Sequence, residues 1–252
     1  LKLPLSEPIT YPINQIDLIT EGTILIVDKP LTWTSFDVVN KIKWQTKRSF
    51  KLKKFKIGHA GTLDPLASGL LVLCTGKLTR IIQDIQSGEK EYTGTFVLGQ
   101  TTPSFDLETT PEGDHATDHI TIELLKSVAT SMQGEQLQRP PIFSAKWVDG
   151  KRAYHAAREG LEVIVPRQMI TIHTFEITRF ENNEVDFLIR CSKGTYIRSI
   201  ANDFGEKLNS GAYLKTLRRT ESLPFHVKDA MPLEEILVKI QEISPFDESV
   251  SA

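Results

Sequence analysis

The chain has 252 residues, 40% hydrophobic and 25% charged, with a formal net charge of −2 at pH 7. That balance excludes a disordered chain, and the longest apolar runs, such as Ile24 to Val27 and Leu70 to Cys74, are too short to cross a bilayer. No signal-peptide pattern follows Leu1, and Cys74 and Cys191 both sit in apolar, strand-like runs, so a cytoplasmic protein with reduced thiols and no membrane association is expected.

In chain order, Thr23 to Val27 reads as a strand ending at Asp28-Lys29-Pro30. Ser35 is the expected cap of a helix in which Phe36, Val39, Ile42 and Lys43 recur at helical spacing. Lys41, Lys43, Lys47, Arg48, Lys51, Lys53, Lys54 and Lys56 then follow without an intervening acid, interleaved with Trp44, Phe50 and Phe55. Such a run is often only a solvated face, but one that leads into a loop like the next points to polyanion binding.

That loop, Gly58 to Gly69, reads GHAGTLDPLASG. Asp64 precedes a proline and is biased toward extended backbone, while the glycines permit close approach. Asp-Pro in a Gly-rich stretch is ordinarily turn chemistry, whereas a carboxylate displayed there is also a candidate reagent; the residues alone leave both open.

Leu70 to Cys74 reads as a buried strand. Gly76-Lys77-Leu78 has neither the spacing nor the hydroxyl of a phosphate-binding loop, so nucleotide hydrolysis is set aside. Glu91 to Leu98 alternates as a strand, residues 101–119 form a polar, acidic surface loop or insertion, and Ile122 to Met132 suits an amphipathic helix after Asp118 or Thr121. Gln138 to Tyr154 suggests a mobile basic flap, with a tight turn at Asp149-Gly150 and positive charge from Lys146, Lys151, Arg152 and Arg158. Ile164 to Phe180 suggests strand pieces. Val185, Phe187, Ile189 and Cys191 alternate, and after Gly194 the residues Ile197, Ile200, Ala201, Phe204 and Leu208 take up helical period. Met231 to Ile240 is expected as one closing helix. No His or Cys ligand pair has metal-site spacing, so no metal is expected.

The string GHAGTLDPLASGLL resembles the central motif of the TruB family of pseudouridine synthases, in which the aspartate is catalytic. The likeness extends over most of residues 20 to 225. It is carried also by Leu25 to Pro30 with Ser35 to Val39, Glu89-Lys90-Glu91-Tyr92 through Gly99, Arg139-Pro140-Pro141 through Tyr154, Gly194 to Ile200, and Leu217-Arg218-Arg219-Thr220. The resemblance implies an α+β pseudouridine synthase fold, a mixed and largely antiparallel central sheet flanked by helices. An RNA-gripping thumb is inserted at about 133–162. Residues 1–230 would form the catalytic domain and 231–252 a short helical tail, with no RNA-binding PUA domain.

The implied activity is isomerisation of the tRNA T-loop uridine, the one that becomes the Ψ of TΨC, without a cofactor and without an obligate protein partner, by a monomer. The base is flipped out, its glycosidic bond is cleaved with help from Asp64, and the free uracil rotates and rejoins C1′ through C5. By resemblance Tyr92 stacks on the uracil and takes part in removing its C5 proton, Tyr196 and Leu217 line the pocket, and Arg198 pairs with Asp64. His59 occupies the space that the flipped base leaves, and the Lys29-Pro30 pair supports the catalytic loop. Taken alone, the two tyrosines read first as half-buried strand and helix residues and His59 as a structural histidine, Arg198 reads equally as a surface or phosphate-binding residue, and Leu217 is indistinguishable from a core leucine. Two other functions remain open on the sequence: an RNA-binding or tRNA-folding module, and a synthase acting on another RNA.

Overall fold

The computed structural model describes residues 21–143, 147–148, 151–152 and 165–245. In chain order these hold β1 (Ile24–Lys29), α1 (Ser35–Ser49), β2 (Ile57–His59), β3 (Ala67–Thr75), α2 (Ile82–Ser87), β4 (Lys90–Leu98), α3 (Ile122–Ser131), β5 (Gly134–Gln138), β6 (Trp147–Val148) and β7 (Lys151–Arg152). They continue with β8 (Gln168–Glu181), β9 (Glu184–Cys191), α4 (Ile197–Lys207), β10 (Ala212–Ser222), β11 (Phe225–His226), β12 (Met231–Pro232) and α5 (Leu233–Glu242). Residues up to Lys90 and from Arg218 onward form one unit, and Glu91 to Leu217 the other.

In the first unit β1 pairs antiparallel with β3, from Ile24 opposite Cys74 to Lys29 opposite Gly69, and β12 runs parallel to β1. The two-residue period of β3 splits its side chains between two cores. Leu71 and Leu73 pack with Leu25, Val27, Val38, Ile42, Ile236 and Ile240, while Leu70, Val72 and Cys74 pack with Ile24, Ala60, Ile85 and Phe225. Burial on both faces is why this strand reads as an unbroken apolar run. Burial also pushes the Cys74 thiol up to about 12, which leaves it unreactive.

Helix α1 starts one residue earlier than Ser35 suggests. Thr34 is the cap: its hydroxyl accepts from the Asp37 amide and the Asp37 carboxylate accepts from the Thr34 amide, a reciprocal capping box. Ser35 is the first helical residue, and its hydroxyl is turned to the Asp64 loop instead. Phe36, expected on the apolar face, is exposed, and Val38 takes the buried position. The closing helix also begins later than expected, at Leu233. Pro232 has no N–H to place in a helix interior, so Met231 and Pro232 add a short strand to β1 and the helix follows it. Leu233, Ile236 and Ile240 of α5 are buried against α1 and β1.

In the second unit the neighbouring strands are β4, β9, β8 and β5. Strands β8 and β9 form a hairpin whose two-residue loop is Asn182-Asn183, at φ 50° and 62°. Both values are positive, as a type I′ turn requires, and asparagine tolerates that region. The strand pieces expected from 164 to 180 are one strand, β8, with irregularities between Ile172 and Thr174 and between Ile177 and Arg179. Its core is aromatic: Phe96 stacks on Phe187 at 4.2 Å, with Phe175 and Phe204 packed around them. Thr121 caps α3 by accepting from the Leu124 amide.

Residues 107–119 are largely exposed, as expected of a surface loop, but the start of the segment turns inward. Thr102, Ser104 and Asp106 are buried, and Thr102 and Ser104 both donate to the Asp106 carbonyl. Hydroxyl and carboxylate partners within the segment satisfy polar groups that composition alone assigns to solvent. Half of the expected thumb, including Lys146, the Asp149-Gly150 turn, Tyr154 and Arg158, lies outside the described residues; β6 and β7 pair antiparallel, with Trp147 opposite Arg152. No helix among the described residues is long and apolar enough to cross a membrane.

Candidate active site

Asp64 lies half-buried in the turn between β2 and β3, and several backbone groups around it are tied down. Ser35 Oγ accepts from the Leu63 amide at 2.8 Å and donates to the Leu63 carbonyl at 3.1 Å. The Thr32 amide donates to the Pro65 carbonyl at 2.8 Å, and the Ala67 amide closes the turn on the Asp64 carbonyl at 3.1 Å. From beneath, Arg219 holds three carbonyls, with Nε on Leu70 at 2.8 Å, Nη2 on Gly61 at 3.2 Å and Nη1 on Thr62 at 3.5 Å.

Two glycines make that clamp possible. Gly61 sits at φ +124°, and Gly69, at φ +98°, has so little room that an added Cβ would meet the Arg219 carbonyl at 2.4 Å. Only glycine fits the close approach of β3 to the residues around Arg219. Replacing Ser35 by Ala would orphan the buried Leu63 amide. Urea unfolding should show a loss of about 1–2 kcal/mol.

Lys29 lies fully buried next to this loop, its ammonium donating to the Pro30 carbonyl at 2.9 Å and the Trp33 carbonyl at 2.6 Å. Burial lowers its pKa to about 8 from 10.5; Asp64 and Asp37 oppose that fall, and Arg219 adds to it. The neutral amine still carries two hydrogens, enough for both carbonyls. Between pH 8 and 10.5 the unfolded lysine is protonated and the folded one is not, so the unfolded state binds more protons and stability rises with pH across this window. In parallel urea titrations at about pH 7.5 and about pH 9.5, Lys29→Met should lack that rise. A wild-type minus variant difference independent of pH would contradict it.

His59, on β2 opposite Leu73, has its pKa lowered by burial and by the Arg219 guanidinium, with the Gly61 backbone opposing, and is neutral at pH 7. The structure thus gathers Lys29, His59 and Asp64 around Arg219. Arg219 was not among the residues singled out from the sequence, although it lies in the Leu217 to Thr220 string. An arginine on a strand reads as exposed, and only its alternation with Leu217 hints that it faces inward.

The remaining expected residues lie in the second unit. Tyr92 is buried on β4, and Leu217 is half-buried on β10, the strand beside β4. Tyr196 is the residue before α4, and its backbone is gripped by the Gln138 side chain: the Tyr196 amide donates to Oε1 at 2.8 Å and its carbonyl accepts from Nε2 at 3.0 Å. Arg198, in the first turn of α4, is buried, donating to the Ser104 carbonyl at 3.3 Å and the Phe143 carbonyl at 3.0 Å, with Asp106 3.6 Å from Nε. Gln138 was not foreseen as an anchor, because a glutamine in a polar stretch carries no sign of which backbone it will meet.

Residues 47–197 match the family model described as TruB family pseudouridylate synthase, N-terminal domain. The chain belongs to the TruB family. It is 52% identical over 214 residues to tRNA pseudouridine synthase B of Flavobacterium johnsoniae, covering 84% of this chain and 93% of that protein. It is 46% identical to the protein of the same name from Chlorobium luteolum, covering 90% of this chain and 78% of that one. Among solved structures, a chain of a Cbf5-Nop10-Gar1 complex aligns with TM-score 0.64 and 27% identity, over 88% of this chain and 58% of that one. The chain therefore spans little more than half the length of that structural relative. These likenesses agree with the α+β fold of mostly antiparallel strands flanked by helices.

Proposed function

We propose that this protein is a tRNA pseudouridine synthase that isomerises the T-loop uridine, with Asp64 as its catalytic carboxylate. The observation that carries the reading is the Asp64 turn, a carboxylate in a loop fixed at Leu63, Pro65 and the Gly61 and Thr62 carbonyls. A reagent held so firmly meets the reacting carbon in one orientation, which is what cleavage of a glycosidic bond within a folded RNA needs. The relatives named tRNA pseudouridine synthase B support the substrate class.

Asp64 assists departure of uracil from C1′, by direct attack or by a glycal-type route. The detached base turns and bonds to C1′ through C5, the C5 proton leaves and the vacated N1 takes up a proton, so the product is an isomer and no redox partner is consumed. By the family pattern Tyr92, Tyr196 and Leu217 hold the base and Arg198 is the partner of Asp64, while His59, neutral at pH 7, stands in for the flipped base. Lys29 acts by support, since its ammonium donates to the Pro30 and Trp33 carbonyls of its own strand end. The protein acts alone and in the cytoplasm; the cytoplasmic reading is supported by Cys74 and Cys191, both buried and neither in a disulfide.

The test is a tRNA transcript incubated with the protein and then mapped for pseudouridine by carbodiimide labelling and primer extension. A stop at the T-loop uridine alone is expected. A stop at another uridine, or none, would contradict the reading.

A further inference from the structure

Away from the Asp64 turn, the first unit carries a basic face with an aromatic centre. Trp44 of α1 is 52% exposed, with the Lys41 ammonium 5.7 Å and the Arg48 guanidinium 5.3 Å from its ring centre. On the same stretch of chain, an open cleft of about 430 Å³ is lined by Lys43, Lys54, Phe55, Lys56, Ile57 and Gly76. No acid occurs between Asp37 and Asp64. Among the described residues, Lys43, Lys54 and Lys56 are exposed and enter no ion pair.

A half-exposed tryptophan with two cations at its ring puts a flat π-face beside positive charge, the pairing that a single-stranded polyanion contacts. We propose that this face is a second RNA-binding surface, in which Trp44 stacks an unpaired base and the Lys43, Lys54 and Lys56 cleft receives the neighbouring phosphates. The chemistry favours RNA over an acidic protein because it joins the two parts that single strands present together, a flat π-face and closely spaced phosphates. Lys41 and Arg48 flank the stacking position and extend the positive track. The inference rests on the proposed function only in taking the RNA to be the substrate tRNA.

The experiment is tRNA binding by fluorescence anisotropy over a salt series, for the wild type, Trp44→Ala and the Lys43→Gln/Lys54→Gln/Lys56→Gln triple variant, with thermal melts to show that all are folded. The changed side chains are exposed, so the melts should coincide. Trp44→Ala should weaken binding by about tenfold, the scale of one stacked base. The triple variant should weaken binding and flatten the plot of log affinity against log salt by about two to three, at roughly 0.7–0.9 for each phosphate no longer neutralised. Wild-type affinity in Trp44→Ala would overturn the stacking platform, and an unchanged salt slope in the triple variant would overturn the phosphate cleft. If instead the variants lose affinity while the wild type forms no pseudouridine, the RNA surface stands and the proposed activity fails.

Discussion

Replacing Arg219 by Met should lower the unfolding free energy by about 3 kcal/mol, the largest stability loss expected from a single substitution near the Asp64 turn. The side chain is 1% exposed and is the donor to the carbonyls of Leu70, Gly61 and Thr62. Methionine fills the volume but leaves those oxygens buried without that donor. Removing a cation next to Lys29 and His59 returns part of the cost, which keeps the figure below a plain sum over three lost bonds. The same substitution gives a second signal that separates charge from packing. Arg219 helps to depress the His59 pKa, so His59 in Arg219→Met should titrate at higher pH than in the wild type, as read from its imidazole proton resonances. An unchanged urea midpoint together with an unchanged His59 titration would refute the assigned role.

Asp64→Asn should leave the protein folded, as thermal melts would show, and be nearly complete in its loss of activity. The turn is fastened through backbone groups, the Asp64 carbonyl taking the Ala67 amide and Pro65 taking the Thr32 amide, and none of these bonds uses the carboxylate. Asparagine keeps the shape and loses the charge. The single-turnover rate should fall by on the order of 10⁴-fold or more, the scale seen when a catalytic nucleophile is removed, while RNA affinity stays near the wild-type value. Residual activity within about tenfold of the wild type would assign the chemistry to another group.

The contrast between these two residues shows where the sequence is legible. Asp64 lies in an uninterrupted string, small, proline-flanked and followed by an apolar strand, whose residue types alone read as a turn or as a displayed reagent; it is the likeness of the whole string to the family motif that points to a catalytic carboxylate. Arg219 acts across more than 150 positions of chain, through carbonyls that every residue owns, so no residue type marks its partners. Strands and helices with a clear period, such as β9 and α4, emerge almost at their true limits because one face of each is buried. The departures come from tertiary demands: Ser35 is drawn from the expected cap to Leu63, and Thr102, Ser104 and Asp106 satisfy one another inside a segment whose composition reads as solvent-facing. Gln138 likewise acquires its role from the Tyr196 backbone, which no local pattern announces.

The central claim, that Asp64 drives isomerisation of a T-loop uridine, is tested most directly by tritium release from a T-arm RNA carrying uridine labelled at C5, at matched RNA occupancy. Release by the wild type, and none by Asp64→Asn, is the result the account predicts. Equal release by both proteins, or no release by a wild type that binds the RNA, would contradict it.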